Sequence, residues 1–335
     1  MKPLGFIIIS TAAIALGATP NYHVVNRIHI GGQARWDYST VDRANHRLYV
    51  SHGTQTEVID TETEQKIATI EGTNGVHGIA IANNLGKGYI SDGTDNQVTI
   101  FDLKTLKVVG TAPTGENPDS IIYEPVSNRV FTFNGRSDDA TAIDARTGAV
   151  VAKSIPLGGK PEFSQIDGKG HIWVNNEDTA EIIELDAQKA SVAKRYSIAP
   201  CEEPTGMVRD PETGTLYSVC SNKLMIVSDP AAGKVLATVP IGAGSDGVVL
   251  DNGYLFSANG ADGTITMIGQ TSPGHYEAIA TIPSARSART ISADPVAHKL
   301  YLPAAQTSPP GAAFGGAVAR PRMIPDSFEI LIVAP

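Results

Sequence analysis

The stretch from Arg47 to Gly72, RLYVSHGTQTEVIDTETEQKIATIEG, carries three short apolar runs separated by polar turns. Leu48 to Ser51 is aromatic and β-branched, Thr56 to Ile59 alternates before Asp60, and Gln65 to Ile70 resumes after Thr61-Glu62-Thr63-Glu64. Alternation bounded by turn residues predicts strands. A fourth run, Asp37 to Val41, precedes them, so the unit is four strands in about 40 residues, the period of a propeller blade.

The unit recurs to the end of the chain. Its second-strand aromatic falls at Tyr49, Tyr89, Phe131, Trp173, Tyr217, Phe256 and Tyr301, at steps of 40, 42, 42, 44, 39 and 45 residues. Seven anchors that hold phase predict an all-β, seven-bladed β-propeller. The third strand of five units ends in Asp (Asp60, Asp102, Asp144, Asp186, Asp229), where the carboxylate is expected to accept turn N–H groups and to carry no chemistry.

The last unit lacks a fourth strand after Phe328 to Val333, whereas Val24 to Ile30 has the fourth-strand pattern and leads into the first blade at Gly31. The N-terminal strand is therefore expected to complete the C-terminal blade and close the ring, which removes an exposed sheet edge. The same unit holds a long insertion, 303 to 326, where the others have a short loop, and a loop of that length is functional or disordered.

Residues 1 to 17 differ from the rest: Lys2, an apolar run from Leu4 to Leu16, then small residues. This predicts a signal peptide cleaved after Gly17 or Ala18, with residues 21 to 335 forming one domain. The run is short for a bilayer and no basic stop-transfer flank follows, so a retained membrane span is not expected. No cysteine lies near the cleavage site, so a lipid anchor is not expected either. Removing Lys2 takes the formal charge from -9 to -10. An acidic exported protein without clustered Lys and Arg is a poor nucleic-acid binder.

The tetrapeptides at the anchors are Tyr49-Val50-Ser51-His52, Tyr89-Ile90-Ser91-Asp92, Phe131-Thr132-Phe133-Asn134, Trp173-Val174-Asn175-Asn176, Tyr217-Ser218-Val219-Cys220 and Phe256-Ser257-Ala258-Asn259, with a degenerate Tyr301-Leu302-Pro303-Ala304. In these the sequence from about residue 31 to 335 resembles the YVTN-repeat propellers, the YncE-like family of exported bacterial proteins. The resemblance implies a seven-bladed propeller in the periplasm or secreted, and no particular reaction, because propellers host unrelated functions.

Counting back five positions from the residue that ends each first strand gives Asp37, His77, Asp119, Glu162, Thr205, Asp246 and Arg289. First strands line a propeller's channel, so these residues are expected to ring one mouth. Six of the seven ionise. A solvated rim would satisfy the same pattern, but carboxylates, an imidazole and a guanidinium together suit a ligand site or a divalent metal ion held by His77, Asp37 and Asp119. His52 departs from the Asn of its repeat position and could join His77 as a metal-binding or acid–base pair, without HxH or HExxH spacing to support it. Arg320 and Arg322 in the insertion would face the acidic mouth and, with Arg289, form the anion-binding half of a site. The other histidines fall on outer strands or opposite-face turns. Cys220 replaces the Asn of the fifth signature and Cys201 lies in the loop entering the same blade, which in an oxidising compartment predicts a disulfide.

These residues describe a monomeric binding or interaction module whose funnel face takes a small polar ligand or a protein partner. The alternative is a lactonase-like hydrolase or lyase with a divalent metal in the funnel and His77 or His52 as the acid–base group. No nucleophile motif or cofactor fingerprint is present.

Overall fold

The computed structural model describes residues 19–33, 35–308, 311–314, 317–319 and 322–335. Residues 1 to 17, to which the signal peptide is assigned, lie outside them. The described residues form seven four-stranded antiparallel sheets. In blade 1 the strands are Ser39–Asp42, Arg47–His52, Gln55–Asp60 and Gln65–Glu71, and blades 2 to 6 repeat the order. The seventh sheet runs in the spatial order His23–His29, Glu329–Ala334, Lys299–Ala304, Ser292–Asp294, so the N-terminal strand supplies the outer strand of the last blade, as expected.

The core lies between blades. Seven apolar clusters occupy the seven blade-to-blade contacts; one joins Tyr89 and Val98 of blade 2 to Ile121 and Val130 of blade 3, and another joins Ile330 and Tyr301 of blade 7 to Leu48 and Val50 of blade 1. Each blade buries both faces only when it has two neighbours, which is why the sequence repeats. All seven anchor aromatics are buried. The strand-ending aspartates behave as turn-formers: Asp60 accepts the N–H groups of Glu62 and Thr63, and Asp102, Asp144, Asp186 and Asp229 repeat the pattern.

The insertion departs from expectation. The second strand of blade 7 runs on through Pro303 to Ala304, so the extra chain begins at Ala305. It is not without structure, because Gly311–Phe314 and Ala317–Ala319 pair as a hairpin and Thr307 bridges Met323. Its exit is tied down where Asp326 accepts the Gly32 N–H through Oδ1 and donates its own N–H to the Gly32 carbonyl.

Cys201 and Cys220 are disulfide-bonded, with Cα atoms 5.5 Å apart across 19 residues of sequence, and both are buried against Trp173 and Ile226. A loop of that length restricts the unfolded chain by roughly 3 kcal/mol. The double variant C201A/C220A should lose about that much in urea unfolding, and an unchanged midpoint would show that packing alone holds this corner.

Candidate functional site

The first strands of blades 2 to 6 share one irregularity. Their register against the second strand slips between Val76 and Ile79, Pro118 and Ile121, Pro161 and Ser164, Pro204 and Met207, and Ser245 and Val248. A bulge of this kind re-aims a side chain, and the residue it re-aims is the ring residue: His77, Asp119, Glu162, Thr205 or Asp246. Side chains on the second strands satisfy the backbone groups that the bulges release. Ser91 Oγ accepts the Gly78 N–H and donates to the Asp119 carbonyl of the next blade, while Asn175 Nδ2 donates to the Thr205 and Gly206 carbonyls. Ser51 Oγ accepts the Asp37 N–H in blade 1. At Ser91 and Asn175 the third signature position thus stitches one blade to the next.

Within the mouth, His77 Nδ1 lies 2.6 Å from Asp37 Oδ2 and 3.5 Å from Asp119 Oδ1. Arg289 donates from Nε to Asp246 Oδ2 at 2.8 Å and from Nη2 to the Trp36 carbonyl and, at 3.3 Å, to Asp37 Oδ1. Lys160 Nζ lies 2.6 Å from Glu162 Oε1 and also pairs with Glu177. Tyr38, buried, donates its hydroxyl to Glu162 Oε2. Four ring carboxylates, Asp37, Asp119, Glu162 and Asp246, therefore meet His77, Arg289 and Lys160 in one half-buried space. Burial works against a charged imidazole at His77, but the Asp37 hydrogen bond and the charges of Asp119 and Asp37 outweigh it and raise its pKa. Burial and the Asp37 charge push Asp119 above the carboxylate range, against His77 and Lys160. At Glu162, burial and the Asp119 charge push upward, Lys160 pulls downward, and burial prevails. Asp246 rises through burial, held back by Arg289.

His52 stands apart from the cluster. It is buried at the end of its strand, with Nδ1 2.7 Å from Glu57 Oε1, Nε2 on the Gln33 carbonyl and its ring stacked on Phe328. Both ring nitrogens are occupied by partners other than those of His77, so the anticipated histidine pair does not form. Glu57, buried, is held down at about 2, since hydrogen bonds from His52, Lys66, Gln55 and Thr69 overcome its desolvation. The remaining ring member, Thr205, donates to the Ser245 carbonyl. Arg320 lies outside the described residues, and Arg322 is exposed, its backbone paired with Ser308. Met323 beside it does reach the funnel: with Arg35, Trp36, Asp37, His77 and Arg289 it lines a cavity of about 260 Å³. Blade 7's insertion therefore contributes to the mouth through a methionine.

Lys160, Tyr38, Trp36 and Arg35 were not anticipated. Lys160 was legible in principle, as it precedes Glu162 by two in the turn where Asn117 precedes Asp119. A larger cavity of about 680 Å³ lies at the opposite end of the channel, lined by Thr40, Ile81, Ile122, Phe163 and Gln165. Between the two, Tyr38, Phe163, Met207 and Ile291 leave only about 10 Å³. The wider end has more room, but the ionisable side chains converge at the narrower one, which makes that end the candidate site.

Fold and site together define a seven-bladed β-propeller with a charged funnel. Among solved structures the chain is similar to Kuenenia stuttgartiensis hydrazine synthase, with 14% identity and a TM-score of 0.69 over 87% of this chain and 96% of that one. It is also similar to U3-55K (9% identity, TM-score 0.76, 93% of this chain, 99% of that one) and to the WD40 repeats of RRP9 (8%, 0.77, 94%, 100%). At these identities the likeness shows the fold alone. No family model matches the chain. No curated protein matches it in sequence.

Proposed function

We propose that the protein is an exported propeller of the YVTN-repeat, YncE-like kind that acts as a binding module, taking a small polar ligand or a polar segment of a partner protein into the funnel. One observation carries the reading: the repeated bulge turns ring residues of successive blades toward a single mouth, which a solvated rim would not need. The propeller fold is compatible with an interaction role. Buried disulfide pairing suits an oxidising location, periplasmic or secreted. Among the described residues no helix is long and apolar enough to cross a membrane.

Trp36 supplies the readout, since its ring lies under the Arg289 guanidinium at 5.9 Å and lines the cavity. Titrating the EDTA-treated protein with panels of amino acids, dicarboxylates and sugars should give saturable quenching of the Trp36 fluorescence. Replacing Arg289 with Glu should weaken that binding at least tenfold while far-UV circular dichroism is retained. Equal affinity in the variant would move the site elsewhere.

The Asp37, His77 and Asp119 geometry favours a second reading, a metal-dependent hydrolase or lyase. Turnover of lactones or esters that depends on added metal and disappears in His77→Ala would establish it.

A further inference from the structure

We propose that Asp37, His77 and Asp119 form a binding site for one divalent transition-metal ion, with Zn²⁺ the best fit, at the junction of blades 1, 2 and 3. The inference deepens the funnel reading by naming a chemical occupant for its mouth.

One ligand atom from each of the three residues lies within 4.8 Å of the others. Tetrahedral zinc with ligands at 2.0–2.2 Å needs donor atoms about 3.3 Å apart. The distances from His77 Nδ1 to Asp37 Oδ2 and Asp119 Oδ1, 2.6 and 3.5 Å, bracket that value. A second observation, independent of the clustering, points to an occupant. Asp119 is buried, 7% exposed, and its Oδ1 has no hydrogen-bond partner among the described residues although it faces the imidazole. An orphaned buried carboxylate oxygen is costly unless a cation or donor meets it. The other carboxylates of the mouth are already matched among the described residues: Arg289 spans Asp37 and Asp246, and Lys160 spans Glu162 and Glu177.

The ligands are held before any ion arrives. Asp37 Oδ1 accepts from Arg289, which leaves Oδ2 for the metal. Thr290 donates to the Asp37 carbonyl, Ser51 receives the Asp37 N–H, Ser91 donates to the Asp119 carbonyl, and Tyr38 N–H bonds the His77 carbonyl. Such support fixes ligand orientation. The imidazole packs on Gly93, where an added Cβ would stand 2.7 Å from Cδ2 and Nε2. One nitrogen with two carboxylate oxygens suits Zn²⁺ or Mn²⁺ better than Ca²⁺ or Mg²⁺, which prefer all-oxygen sites. On binding, the ion replaces the proton on His77 Nδ1, which passes to solvent, so affinity should rise with pH.

The test is calorimetry of the chelator-treated mature protein with Zn²⁺, and Co²⁺ titration followed by visible absorption. The expected result is one Zn²⁺ per chain, with affinity at least a hundredfold weaker in Asp119→Asn, weakened at least tenfold by Gly93→Ala, which keeps all three ligands, and unchanged in His171→Ala, an exposed histidine paired with Asp167. Folding of each variant is checked by circular dichroism. Zinc bound equally well by Asp119→Asn, or zinc lost with His171→Ala, would overturn the assignment, as would absence of saturable binding to the wild type. None of these results bears on ligand capture measured in EDTA, so the metal site and the binding module can fail separately.

Discussion

Placing a carboxylate at Ile28 should unfasten the ring, whereas placing one at Val25 on the same strand should do little. Both residues sit in His23–His29, which pairs antiparallel with Glu329–Ala334, from His23 opposite Ala334 to His29 opposite Glu329. Ile28 is 8% exposed and packs with Trp36, Leu48 and Ile330, on the contact between the last blade and the first. Val25 is 46% exposed. An unpaired charge forced into such a contact costs about 4 kcal/mol, which in a chain this long lowers Tm by roughly 6 °C. The N-terminal segment has a second attachment in Tyr22, whose hydroxyl donates to Asp251 and whose ring lies 4.6 Å from that of Phe256 in blade 6. Deleting residues 19–30 removes both and leaves Glu329–Ala334, buried from Ile330 to Val333, as a bare edge. That chain should aggregate or lose cooperative unfolding, because an open edge is a template for pairing. Equal melting of Ile28→Asp and Val25→Asp in calorimetry, or a truncated chain that melts like the full one, would show that the ring does not depend on this strand.

A second substitution should stabilise the protein, and by an amount that depends on pH. Asp92 ends the second strand of blade 2, where blades 3, 4 and 6 have Asn134, Asn176 and Asn259. Two of those amides are matched at both ends: Asn134 Nδ2 donates to Asp139 and Thr141 while its Oδ1 accepts from Thr132, and Asn259 Nδ2 donates to Thr264 and Thr266 while its Oδ1 accepts from Ser257. Asp92 is fully buried, takes hydrogen bonds from Thr99 and Gln97 on Oδ2 alone and leaves Oδ1 unpartnered among the described residues. Burial pushes its pKa up to about 7, against those two hydrogen bonds. The unfolded chain releases this proton near pH 4. Below that value both states hold the proton and the group is neutral to stability. Between about 4 and 7 the folded state binds the extra proton, so stability falls as pH rises, and above 7 the loss is complete at roughly 4 kcal/mol. Asp92→Asn removes the slope, since its amide oxygen can accept from Thr99 and Gln97 without a charge. Urea unfolding should show little gain at pH 4.5 and most of that 4 kcal/mol at pH 8. The same gain at both values would mean that the proton is not involved.

The blade count, the phase and the closing strand were legible because they follow from short-range alternation repeated at a fixed step. Tyr49 and its six counterparts announce the second strands, and Val24 to Ile30 reads as a fourth strand with no other place to go. The ring of Asp37, His77, Asp119, Glu162, Asp246 and Arg289 followed from the same phase, since five residues back from the end of a first strand is a fixed height in every blade.

His52 shows where phase stops being informative. It shares a face with His77, but Glu57, Gln33 and Phe328 surround it, and Phe328 lies 276 positions along the chain. Tyr38 belongs to the site through a contact with Glu162, 124 positions away, that no local pattern encodes. Met323 reaches the mouth because Asp326 anchors the insertion to Gly32. The bulge in blades 2 to 6 is likewise invisible to alternation, since it adds one residue without altering which types follow.

The sequence by itself determined that seven blades form and pointed to one residue of each as a candidate for the mouth, because strand alternation and turn chemistry are local and a periodic chain repeats them at a constant step. Only the tertiary structure decided how those residues pair: that His77 meets Asp37 and Asp119, that Arg289 spans the neighbours on either side, and that one oxygen of Asp119 is left buried without a partner among the described residues. Pairing depends on bulges, loop paths and desolvation across blades, and those are set when the ring closes.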